Sequence, residues 1–127
     1  MKRLLVTCAL ALAVILPGFS LMGTPSAAAD SCWLLQANIY AQGSRVYGFG
    51  QTQCSTNLSR TLRVFIIQDG VSRASGTTTG NATILSSSPS CAIQYAGPYP
   101  SYVRVQLTSS SGFVWNWYTA TTYLPRC

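Results

Sequence analysis

Across residues 30–127 no stretch places apolar residues at helical spacing for three turns, whereas short runs rich in Val, Ile, Tyr, Phe and Thr recur between clusters of Gly, Ser and Asn. That pattern restricts the chain to antiparallel β-structure. Strands are expected over residues 33–41 and 45–53, separated by Gln42-Gly43-Ser44, then over 61–68 and 71–77. Between the latter two, Asp69-Gly70 favours a two-residue type I′ turn. Further strands are expected over 82–86, 91–95, 102–108 and 113–119. Residues 76–81 read as a polar connection, 86–90 as a loop, and Gly97-Pro98-Tyr99-Pro100 as an extended turn, because two prolines remove ladder donors. Seven or eight strands predict an all-β, two-sheet antiparallel sandwich of immunoglobulin-like character, with a small closed barrel as the alternative.

The N-terminal residues have another character. Met1, Lys2 and Arg3 precede an uncharged run over 4–16, a Pro17-Gly18 break and Ser26-Ala27-Ala28-Ala29 before Asp30. This is the layout of a secretory signal peptide cleaved after Ala29, and the run is well short of the roughly 20 residues that span a bilayer. Residues 1–29 are therefore expected to be removed, leaving a single extracellular domain, 30–127, with no membrane anchor. A domain of this size gains only a thin margin from its core, so covalent help is expected. Cys8 leaves with the leader, and Cys32, Cys54, Cys91 and Cys127 predict two disulfides in an oxidising compartment. Zinc spacing and histidine are both absent. Cys32 and Cys54 flank Gly43 symmetrically, so a hairpin there brings them together and leaves Cys91 for Cys127. The rival connectivity joins Cys54 to Cys91 and Cys32 to Cys127.

Residues 30–127 contain no His, Glu or Lys, and their acidic side chains are Asp30 and Asp69. A serine or threonine nucleophile finds no base, and glycoside hydrolysis needs two carboxylates flanking the bond. The expectation is a non-enzymatic domain using no metal or cofactor. Three Trp, seven Tyr and six Arg point to binding instead. The arginines, at 45, 60, 63, 73, 104 and 126, are scattered along the sequence, which argues against nucleic acid. The net charge of +4 over 30–127 remains compatible with attraction to an anionic cell-wall polymer.

The last hairpin holds the main candidate surface, and its register decides which residues share it. With a four-residue loop, 109–112, Tyr102, Arg104 and Gln106 share a face with Phe113, Trp115 and Trp117, opposite a core of Val103, Val105, Leu107, Val114 and Tyr118. With a three-residue loop, 110–112, the tryptophans join Val105 and Leu107 in the core. A second candidate is the proline- and tyrosine-bearing stretch 86–102, where Ser90-Cys91-Ala92 is a conceivable protease-inhibitory segment; an ordinary cross-sheet connection also explains it.

Tyr47-Gly48-Phe49-Gly50 leading to Cys54, the alternating strand from Leu62 to Ile67, and Tyr102-Val103-Arg104-Val105 together resemble small secreted actinobacterial β-sandwich proteins with two disulfides. The all-arginine basic set and the Ala- and Leu-rich leader also suggest a high-GC bacterial source. The resemblance implies a compartment and a fold, and some small secreted actinobacterial domains serve as adaptor or lectin subunits of extracellular toxin particles. The expected function is thus a secreted interaction module whose partner is another extracellular protein or subunit. The alternatives are a glycan- or cell-wall-polymer-binding domain and a protease inhibitor.

Overall fold

The computed structural model describes residues 30–127; the leader expected over 1–29 lies outside the described residues. Within the unit Cys32–Cys127, β1 (Cys32–Gln42) and β2 (Arg45–Cys54) form the first hairpin. Gln42 pairs with Arg45, so the turn is Gly43-Ser44, one residue shorter than the expected separator, with Gly43 at φ 60°. A regular ladder from that turn would set Cys32 opposite Ser55. A bulge at Leu35, between the Leu34–Thr52 and Gln36–Gln51 pairs, shifts the register by one and brings Cys32 opposite Cys54, where the disulfide forms.

The second hairpin joins β3 (Arg60–Gln68) to β4 (Val71–Gly80) through Asp69-Gly70. Positive φ at both residues, 52° and 76°, agrees with the expected type I′ turn. The threonines at 77–79 continue β4 rather than forming a connection, as suits β-branched side chains that pair across to β3. After β5 (Ile84–Ser87) and β6 (Ser90–Ala92), both paired to β2, comes β7 (Tyr95–Ser109).

That strand runs through Pro98 and Pro100, where an extended turn was expected. The prolines are tolerated because this half of β7 has an irregular ladder with β9 (Thr122–Arg126), a strand the sequence did not announce. β7 also pairs with β3 and β8 (Val114–Tyr118). The architecture is a two-sheet antiparallel sandwich: β1-β2-β5 with β6 faces β4-β3-β7-β8 with β9.

Buried Val46, Leu62, Val64, Ile66, Val103, Val105 and Leu107 form the interior. Gly48 and Gly50 allow close sheet packing. A Cβ on Gly50 would lie 2.7 Å from Val105 Cγ2 and 2.8 Å from Val64 Cγ2; one on Gly48 would lie 2.9 Å from Ile66 Cγ1. Fully buried Gln68 donates from Nε2 to Ser101 Oγ at 3.0 Å and to the Pro125 carbonyl at 2.8 Å, while its Oε1 accepts from the Cys127 amide at 3.0 Å. The second disulfide, Cys91–Cys127, ties β6 in the smaller sheet to the residue after β9 in the larger. Both bridges follow the favoured pairing.

Candidate functional site

The last hairpin adopts the three-residue register. Leu107 pairs with Trp115 and Val105 with Trp117, and the Ser109 amide donates to the Phe113 carbonyl at 2.9 Å. Gly112 takes φ 93°, and Ser109 Oγ accepts from the Phe113 amide at 3.0 Å. The stripe of Tyr102, Arg104, Gln106, Phe113, Trp115 and Trp117 therefore does not exist as one surface. Trp115 and Trp117 pack against the core, with Phe113 edge-on to Trp115 at 4.6 Å, while Tyr102, Arg104 and Gln106 point outward beside Tyr118 and Asn116. The register buries more aromatic surface, which is why it prevails.

The 86–102 stretch fares no better as a projecting loop. Ser90, Cys91 and Ala92 pair with Tyr47, Val46 and Arg45, and Arg45 Nε and Nη2 donate to Ser90 Oγ at 3.1 and 3.0 Å. Further on, Arg126 lies 4.6 Å from the Tyr95 ring and 4.7 Å from that of Tyr99 while pairing with Asp69 at 3.1 Å. These are structural contacts that close the edge of the sheet. The sulfurs of Cys32 and Cys54 are committed to their disulfide and offer no thiolate to a metal.

Two outer sheet faces carry the exposed chemistry. On the smaller sheet, strand alternation turns glycines inward along β2 and Tyr47 and Phe49 outward. Register sets Tyr40 beside Tyr47, Asn38 beside Phe49, Gln36 beside Gln51, and Trp33 beside Gln53 and Ile84. The Tyr40 and Tyr47 rings stack at 5.4 Å and 22°. Trp33 and Tyr40 are 42 and 45% exposed. The face is neutral along these rows, which hold four aromatic rings and four carboxamides, and Arg45 stands only at its turn end. The Tyr-Gly-Phe-Gly alternation was the available signal for it.

On the larger sheet, arginines far apart in sequence converge, contrary to the scatter read from the chain. Arg63 pairs with Gln106 in one row, Arg104 with Phe65 in the next, and Arg73 is the extra residue of β4 at the register shift between the Ile66–Ala74 and Ile67–Ser72 pairs. The Arg104 guanidinium sits 4.3 Å from the Phe65 ring centre. At one end, Ser59, Arg60, Thr61, Arg63, Thr108 and Ser110 line a depression of about 240 Å³. Buried Arg60 is held there by the Leu58 and Thr56 carbonyls at 2.9 and 3.0 Å. No family model, curated protein or solved structure matches the chain.

Proposed function

We propose that the chain is a secreted, non-catalytic binding module whose ligand surface is the outer face of the smaller sheet, and that its ligand is a neutral glycan. The observation that carries this reading is that four cross-strand rows bring Trp33, Tyr40, Tyr47 and Phe49 onto one face with Gln36, Asn38, Gln51 and Gln53. Aromatic rings stack on the C–H faces of sugar rings, and each carboxamide offers two donors and an acceptor to hydroxyls. Rows roughly 7 Å apart along a strand make the face an extended track rather than a pocket, as suits a polymer. The two disulfides and the leader-like sequence of 1–29 fit an extracellular setting.

The test is retention of the oxidised protein, recovered from culture medium, on insoluble neutral polysaccharides. Trp33→Ala and Tyr40→Ala are expected to lower affinity at least tenfold while leaving the melting temperature within a few degrees of the parent. Retention that persists in the double variant would sink the assignment.

A second reading has its own observation. Among the described residues β1 pairs with β2 alone, which leaves the other edge of this eleven-residue strand without a strand partner beside exposed Trp33 and Leu35. An extracellular protein or subunit engages it by adding a strand. Co-purification of a partner that slows hydrogen exchange in β1 selects this reading; a protein that stays monomeric with β1 exchange unchanged in spent medium rejects it.

A further inference from the structure

We infer that the outer face of the larger sheet is a second binding site, independent of the first, for an acidic polysaccharide. Arg63 and Arg104 occupy two successive cross-strand rows on β3 and β7, and Arg73 is the extra residue of β4 at the register shift beside Ile66 and Ile67. Arg63 and Arg104 are diagonal neighbours, about 7–8 Å apart at the backbone. Asp69, the acidic side chain of the unit Cys32–Cys127, pairs with Arg126 rather than with these three arginines. The Nε atoms of Arg73 and Arg104 are buried without an acceptor. A positive field of this kind, unopposed across one face, is complementary to an anionic ligand.

Three features narrow the class. The charges are all guanidinium, whose planar fork matches carboxylate or phosphate groups. They are set out in sequence along the strands, so one small anion engages a single arginine, whereas a chain with repeated charges engages all three. Between and around them lie neutral hydroxyls and amides, including Thr61, Thr79, Thr108, Gln106 and Asn116, and the exposed ring of Tyr118. Those groups recognise sugar hydroxyls and ring faces. The depression beside Arg63, rimmed by Ser and Thr hydroxyls, takes one anionic substituent at the end of the track.

Polygalacturonate is the probe, with fully methyl-esterified pectin as its uncharged counterpart and polyglutamate as an anionic chain without sugars. The oxidised protein should bind polygalacturonate, bind the ester at least tenfold more weakly, and lose about twentyfold in affinity between about 50 and about 200 mM NaCl. Arg63→Gln and Arg73→Gln should each reduce the slope of log affinity against log salt by about 0.7. Tyr40→Ala, on the opposite sheet, should change nothing, which separates failure of this site from failure of the neutral-glycan face. Arg104→Gln also removes a contact with Phe65, so the exposed Arg63 is the primary variant. Absence of polygalacturonate binding at low salt overturns the inference, as does binding that survives all the arginine changes. Equal affinity for polyglutamate overturns it in favour of an acidic protein surface.

Discussion

At the residue scale, Gly50 sets how closely the two sheets approach. Its missing Cβ is what lets Val64 and Val105 of the opposite sheet approach, and both valines are fully buried with nowhere to move. Gly50→Ala is accordingly expected to destabilise by about 1–3 kcal/mol through overpacking, read as a lower urea midpoint. An unchanged midpoint would mean that the sheets can separate locally without loss. Gln68 supplies a polar counterpart in the interior. Gln68→Ala strips side-chain partners from the Pro125 carbonyl, the Cys127 amide and Ser101 Oγ, and should cost about 1–3 kcal/mol; substitution by Leu should not rescue it, since the orphaned groups remain. Neither role was legible in the sequence. Tyr47-Gly48-Phe49-Gly50 was visible as an alternation, but which of its two sides meets the core depends on the sheet that packs against it.

At the element scale, register decides the chemistry of every face. The two cysteines flanking Gly43 were readable from the sequence, yet the turn is Gly43-Ser44 and only the extra residue Leu35 restores the cysteine register. Deleting Leu35 should therefore leave the disulfide intact: a ladder regular from Gln42–Arg45 then already pairs Leu34 with Thr52 and Cys32 with Cys54. Inserting Ala between Asn38 and Ile39 should instead turn Trp33 inward and separate the cysteines. Thiol titration of the unfolded proteins distinguishes the two, with the deletion expected to show none from this pair. Two free thiols in the deletion variant would assign the bulge a role beyond register. The last hairpin shows the limit of such reading, because loops of three and four residues both accept Gly112, and the choice falls to the burial of Trp115 and Trp117 against Leu107 and Val105. β9 was missed for a similar reason. Thr122–Arg126 has no clear alternation and contains Pro125, and it becomes a strand through its pairing with β7. The convergence of Arg63, Arg73 and Arg104 likewise needs the β4-β3-β7 order, which no one-dimensional spacing contains.

At the scale of the whole molecule, the two disulfides divide the covalent work unequally. Cys32–Cys54 closes a hairpin already held by its own ladder, at a separation of 22 residues, whereas Cys91–Cys127 spans 36 and joins the sheets. Chain entropy alone assigns about 3.4 kcal/mol to the first and about 3.8 kcal/mol to the second. The geometry widens that difference. Cys127 also donates its amide to buried Gln68, so releasing it loosens β9, the Arg126 contacts with Tyr95 and Tyr99, and the polar network around Ser101. The Cys91→Ser, Cys127→Ser double variant should thus unfold at clearly lower urea than the Cys32→Ser, Cys54→Ser variant, measured by tryptophan fluorescence and far-ultraviolet circular dichroism together. Near the midpoint, hydrogen exchange should accelerate first in β9 and the N-terminal half of β7, leaving β1 and β2 protected. Equal midpoints for the two double variants would show that the link between the sheets adds nothing beyond loop closure, and that the core of Val64, Val103, Val105 and Leu107 alone keeps the two outer faces in place.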